Sequence, residues 1–301
     1  MTTAIVKPER TKGRLSQRRV LPYLFVSPFF IIFGIFGLYP FISGFSLAML
    51  KRDEFAGFEN FVKLLGDSRF WKSIQNAAIY TCGSVFIILP IALMAALMLH
   101  SKFISKVRNI SSTIFFLPNV TSVLVIGIVF KFLLRTNNGP VNELLRTFGL
   151  IRENIKFLSD PRWAIPSLVL IGSWRYFGIN SLFFLSGLQG IPAELNESAR
   201  IDGAGPIKEF AFITFPLLRP IMTYIVFTAI VGSFSMFGEV MTLTSVEGTG
   251  ARDSMLFPLL YLYNMMFRNN QMNMASAMGY ILAVILLIIT TVQRTLMRER
   301  D

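Results

Sequence analysis

Six apolar stretches, at roughly 21–50, 73–99, 110–134, 163–188, 215–240 and 272–296, are each long enough to cross a bilayer as a helix. Inside lipid, every backbone N–H and C=O must be satisfied within the protein, so uninterrupted apolar runs of this length form helices. The expected fold is an all-α integral membrane protein with six transmembrane helices. Composition agrees, with 53% hydrophobic residues, 30 Phe and 14 Met against 15% charged residues. One cysteine, Cys82, and one histidine, His100, exclude a disulfide framework and a Cys/His zinc cluster. The net charge of +12 is scattered over loops that flank the apolar runs, which suits anionic lipid headgroups rather than nucleic acid.

The first twenty residues form a basic tail, with Lys7, Arg10, Lys12, Arg14, Arg18 and Arg19 against Glu9. The apolar run that follows is too long for the core of a signal peptide and lacks a cleavage site, so it reads as the first span. Lys and Arg summed over all loops show only a slight bias. Orientation therefore rests on this tail, on the turn with Lys102, Lys106 and Arg108, and on the tail with Arg294, Arg298 and Arg300. All three belong inside by the positive-inside rule, which puts both termini in the cytoplasm.

Between the fourth and fifth apolar runs, residues 191–220 carry four acids and three bases, so this stretch cannot be a span. It reads as a surface that the membrane part presents to something soluble. Pro192 suits a helix start and Gly203 a left-handed C-terminal cap, giving a helix over 193–202 of about three turns. Leu195, Ala199 and Asp202 share one stripe with Ser198 and Ile201 beside it, while Glu194, Glu197 and Arg200 point elsewhere. Pro206 opens a second helix whose apolar residues Ile207, Phe210, Phe212 and Ile213 lead into the next span.

The spacing in this stretch, Glu197-Ser198-Ala199, three residues, Gly203, nine residues, Ile213, one residue, Phe215-Pro216, resembles the EAA motif of ABC importer permeases. Ile191-Pro192, Ile201-Asp202-Gly203-Ala204 and Pro216-Leu217-Leu218-Arg219-Pro220 resemble the maltose-type, carbohydrate-uptake branch. Ser198 replaces the usual second Ala and Phe215 the usual Leu. The resemblance implies that this loop is a cytoplasmic coupling helix docking into a groove on an ATPase subunit, through Glu197, Ser198, Ala199, Asp202, Gly203 and Ala204. Three outer segments are also similar to the family. They are Phe55 to Phe61 with Asp67, Phe70, Trp71 and Asn76; the turn and short helix from Asn138; and Arg252 to Met278 with Tyr261, Tyr263, Asn264 and Phe267. An external insertion of domain size is absent. The expected domain plan is thus a tail over 1–20 and a transmembrane domain over 21–301.

No Gly-x-x-x-x-Gly-Lys-Ser/Thr loop and no Asp in a phosphorylation setting occur, so the chain is not expected to bind ATP and is not expected to be an enzyme. A hydrolase triad would need His100, which sits beside Ser101 and Lys102 at a span end and reads better as a solvated interfacial histidine. Ionisable groups inside spans carry more information, because each is costly in lipid unless it faces protein or water. Lys131 can snorkel. Arg175, near mid-span between Trp174 and Tyr176, and Glu239, after Phe234 and Phe237, are candidates for solute contact, together with Asn119 and Asn180. Aromatic faces beside hydrogen-bonding groups suit the C–H faces and hydroxyl rim of a sugar. Arg175 and Glu239 could equally form a structural ion pair, and the aromatics could be packing. Pro90, Pro118 and Pro166 permit kinks.

The reading is a multi-pass permease subunit of an ATP-driven importer in a bacterial inner or cytoplasmic membrane, moving a sugar or oligosaccharide. Arg175 and the basic outer loops lean toward an anionic or uronate-bearing solute. The resemblance implies a second permease, two cytoplasmic ATPase subunits that hold ATP and Mg, and an external solute-binding protein. No cofactor, metal or nucleic acid is expected on this chain. The alternative is an ion-coupled secondary carrier or channel acting without an ATPase.

Overall fold

The computed structural model describes residues 12–51, 54–101, 108–244 and 249–297. Lys7, Glu9, Arg10, Lys102, Lys106, Arg298 and Arg300 lie outside the described residues. Among the described residues, four continuous helices are long and apolar enough to cross a membrane: Leu21–Ala48, Ser68–His100, Pro161–Gly190 and Met272–Met297. Two bent pairs are apolar enough to bring the number to six if each is one span: Ile114–Val120 with Val123–Leu133, bent by 99°, and Pro206–Leu217 with Arg219–Phe234, bent by 59°.

Local chemistry sets the helix starts. Asp67 caps the second span by accepting from the Arg69 N–H at 2.8 Å, so the helix begins at Ser68, five residues before the apolar run. Its 33 residues extend about 50 Å at 1.5 Å per residue, well beyond the roughly 30 Å hydrocarbon core, so its ends project from the bilayer. Asp160 caps the fourth span in the same way, with Pro161 in the first helical position. The first span ends at Ala48, where Leu50–Lys51 turns back to pair antiparallel with Glu54–Phe55. Its C-terminal half, beyond a π-helical turn at Gly34–Leu38, rests on the sixth span through Tyr280. That hydroxyl donates to the Phe41 carbonyl, and its ring meets Phe41 and Phe45 edge-on at 5.3 and 5.2 Å.

Two expected spans are not single rods. The run at 110–134 breaks at 121–122, just after Pro118, which removes a helix hydrogen-bond donor. The run at 215–240 stops at Phe234; after a break the chain restarts as the short helix Gly238–Leu243. This helix packs directly on Val123–Leu133. A Cβ on Gly127 would lie 1.7 Å from the Thr242 Oγ1, so only glycine allows that approach.

Buried apolar side chains form two separate clusters. One, containing Phe70, Tyr80, Leu168, Ile171, Ile230 and Phe257, fills the end of the bundle where the long loops gather. The other, with Ala92, Ala96, Phe184, Leu188, Leu218 and Ile225, fills the end that carries the polar loop between the fourth and fifth spans. Along the second, fourth and fifth spans apolar packing is therefore interrupted near the middle.

Candidate functional site

That interruption is a cavity of about 380 Å³. The second span contributes Tyr80, Ser84 and Ile88, the fourth Tyr176, Asn180 and Phe183, and the fifth Ile225 to Ser233, followed by Ser235 and Met236. The broken third span supplies Asn119, and Glu239 comes from the short helix after the fifth. Close backbone approaches at two glycines bring these groups together. The arm Arg108–Val120 crosses the fourth span at Gly178, where a Cβ would lie 1.8 Å from the Phe115 carbonyl oxygen; Asn119 follows one turn later. At Gly172 a Cβ would lie 2.2 Å from the Tyr80 hydroxyl, so the missing side chain makes room for that phenol.

Of the residues singled out in the sequence, Asn119, Tyr176, Asn180 and Glu239 line this cavity. Arg175 does not. Its guanidinium donates through Nη1 to Glu239 Oε1 with the side chains 12% and 18% exposed, and it lies 5.2 Å from the Tyr176 ring centre. The interhelical ion pair weighed from the sequence is thus present. Trp174 faces away, edge-on to Phe130 at 5.5 Å. Phe234 is buried in the larger core cluster, and Phe237 packs on Tyr263 at 4.8 Å. Lys131 donates to the Thr244 carbonyl at 3.2 Å. Tyr80, Ser84, Ser233 and Ser235 escaped sequence reasoning. Their only signal was small or hydroxylated residues recurring inside apolar runs.

A second site is the polar loop at the opposite end from the long loops. Its first helix runs Ala193–Ile201 with Pro192 immediately before it. Gly203 sits at φ +80°, its N–H donating to the Arg200 carbonyl, while the Ala204 N–H donates to the Ala199 carbonyl at 2.9 Å. These are the paired hydrogen bonds of a Schellman cap, whose positive-φ position an L residue adopts only with strain. Arg200 then forks onto Glu209 with two 3.0 Å bonds, locking the first helix to Pro206–Glu209. Glu197, Ser198 and Asp202 are exposed; Ala199 and Ala204 are half-buried. Ile201, Ile207 and Phe212 are 86%, 84% and 78% exposed, and Leu195 is exposed beside them. An apolar surface ringed by charges of both signs, on a hairpin whose two helices are tied by Arg200 and Glu209, is suited to docking rather than to chemistry. His100 lies near it, lining a groove with Asn196, Arg200 and Glu209.

At the other end, buried asparagines bind the loops to the spans. The Asn60 amide donates to the Ala48 and Leu50 carbonyls, and the Asn76 amide to those of Asp253 and Leu256, all at 2.8–2.9 Å. Asn142 accepts from the Ile155 N–H and donates to the Ile155 carbonyl. Arg69 forks onto Asp253 with two 2.8 Å bonds, and the Tyr261 hydroxyl donates to Asp67.

Residues 64–299 match the family model for the binding-protein-dependent transport system inner membrane component. The chain is 33% identical over 281 residues to the arabinooligosaccharides transport system permease AraP of Bacillus subtilis, covering 92% of this chain and 88% of that one. It is 34% identical over 299 residues to the lactose transport system permease LacF of Rhizobium radiobacter, covering 96% and 99%. A crystal structure of a bacterial ABC transporter that imports the acidic polysaccharide alginate superposes with a TM-score of 0.82 at 25% identity, over 95% of this chain and 99% of that one. A second solved complex of an alginate ABC transporter, with an alginate pentasaccharide-bound periplasmic protein, matches with a TM-score of 0.81.

Proposed function

The chain belongs to the family of binding-protein-dependent transport system inner membrane components, and on that premise we propose that it is the permease subunit of an ATP-driven importer of carbohydrates. The observation that carries the reading is the helical hairpin capped at Gly203 and locked by Arg200–Glu209, at the far end of the spans that enclose the cavity. An ion-coupled carrier working alone is set aside by the family. The partners are a second permease, a pair of ATPase subunits and an external solute-binding protein. Nucleotide and Mg belong to the ATPases, and this chain holds neither.

In this reading the hairpin faces the cytoplasm, with both termini on the same side, and the long loops face the binding protein. Closure of the ATPase pair pushes on Glu197, Ser198, Ala199, Asp202, Gly203 and Ala204. Because Arg200–Glu209 ties the two hairpin helices together and the second leads through a 59° bend into the fifth span, the push is passed to that span, turns it relative to the fourth and opens the cavity toward the binding protein. Asn119, Tyr176, Asn180 and Glu239 then contact solute directly. Trp174, Arg175, Phe234 and Phe237 support the walls from behind.

The test is Gly203→Trp, assayed in membranes of cells that also carry the partner subunits. The variant is expected at wild-type amount in the membrane, with sugar uptake and co-purifying ATPase both reduced about tenfold, since an L residue in the left-handed region costs ~1–2 kcal/mol and tryptophan also adds bulk at the docking surface. Wild-type uptake by Gly203→Trp would remove the coupling role of the hairpin.

A further inference from the structure

The relatives named above carry both neutral and acidic saccharides, so kinship leaves the charge of the solute open. Arg175, close to mid-span, leans the sequence toward an acidic one. The cavity reverses that lean. Among its described lining residues there is no Lys, Arg or His, and the single ionisable carboxyl is Glu239. Every other polar group on the wall is a neutral amide or hydroxyl, from Asn119, Asn180, Tyr80, Tyr176 and short Ser and Thr side chains. The one cation within reach, Arg175, stands behind the wall with its Nη1 on Glu239 and its guanidinium over the Tyr176 ring.

Resting on the reading of this cavity as the solute site, we infer that the solute is an uncharged saccharide, and that Arg175 serves to offset Glu239 rather than to bind a solute carboxylate. A uronate placed here would lose its water and meet the Glu239 carboxylate on a wall whose described residues include no Lys, Arg or His, while Arg175, its Nε unpartnered, stands behind that wall with Nη1 on Glu239; this like-charge approach costs several kcal/mol. A neutral sugar meets complementary groups. Its hydroxyls donate to the Glu239 carboxylate, exchange hydrogen bonds with the amides of Asn119 and Asn180, and lay a C–H face on Tyr176 or Phe183.

The experiment uses the complete transporter with its binding protein in proteoliposomes, and measures ATP-dependent uptake of lactose and arabinobiose against digalacturonate. The ratio of acidic to neutral uptake is compared between variants, so that the preference of the binding protein cancels. Wild type is expected to take up a neutral disaccharide and reject digalacturonate. Glu239→Gln leaves Arg175 unpaired beside the cavity and should raise the acidic-to-neutral ratio about tenfold. The double substitution Arg175→Met with Glu239→Gln should bring it back. If Glu239→Gln does not reach the membrane, Asn180→Lys places a cation on the wall with the ion pair intact and should shift the ratio in the same direction. Preferential uptake of digalacturonate by wild type, or a ratio that ignores both single substitutions, overturns the inference and leaves the importer reading standing. Failure of wild type to take up any of the three saccharides with ATP overturns both.

Discussion

At the scale of single residues, the polar groups of this protein sort by whether a neighbour completes them. Arg200 and Glu209 complete one another across a turn through two bonds, whereas Arg175 reaches Glu239 through Nη1 alone and keeps a buried, unpartnered Nε. Tyr261 is completed by Asp67. Burial first, and then the hydrogen bond to Asp67, push its phenol above the ordinary value of 10.0. Because the folded value is raised, the bond contributes fully below the unfolded value and is lost as pH rises through the higher folded one. An ultraviolet titration of the phenolate band, wild type minus Tyr261→Phe, should therefore show this tyrosine ionising after an ordinary phenol. A component titrating at the ordinary value would contradict the Asp67 contact.

At the scale of elements, glycines decide where helices may touch. The arm that carries Asn119 meets the fourth span backbone to backbone at Gly178, with the Phe115 carbonyl in the space a methyl group would need. A backbone cannot swing aside as a side chain can. Gly178→Ala should accordingly push the arm away, costing about 1–3 kcal/mol of stability by overpacking and moving Asn119 from the wall. Solute affinity of the purified complex should fall together with its melting temperature; a variant that melts and binds as wild type would mean the arm does not bear on Gly178. The same logic explains the short helix after the fifth span, where Gly127 receives Thr242 and so brings Glu239 to the cavity.

At the scale of the whole molecule, two cores and two ends divide the labour. The hairpin end is capped at Gly203 and cross-tied by Arg200–Glu209 but leaves apolar side chains uncovered, while the loop end is bound to the spans by buried amides across long stretches of sequence. Asn76 holds the carbonyls of Asp253 and Leu256, residues some 180 positions away. Asn76→Ala leaves both carbonyls without that donor, at about 1–3 kcal/mol. Thermal unfolding of the purified complex should show the loss, and an unchanged midpoint would mean that this contact is not retained in the assembly. Between the ends lies the cavity, where polar side chains of three spans stand among Ile88, Ile179, Phe183, Ile225 and Met236.

Much of this was written locally enough to be legible. Hydropathy marked six apolar runs because each needs only its own side chains to prefer lipid. The Gly203 cap and the Pro206 helix start were readable because a cap is settled within half a dozen residues. Asn119, Tyr176, Asn180 and Glu239 stood out because polar side chains inside apolar runs are costly unless something receives them. What could not be read depended on groups distant in sequence. Whether Arg175 faced a solute or Glu239 turned on a break after Phe234 that swings the chain onto Gly127. Tyr80, Ser84 and Ser233 looked like ordinary span residues until the fourth span showed what they surround. Composition and short-range capping determined that this chain is a helical membrane protein with a polar, capped hairpin between two of its apolar runs. Only the tertiary structure decided which side chains share a cavity and what charge it carries, because a cavity is a failure of packing between helices and belongs to no one of them.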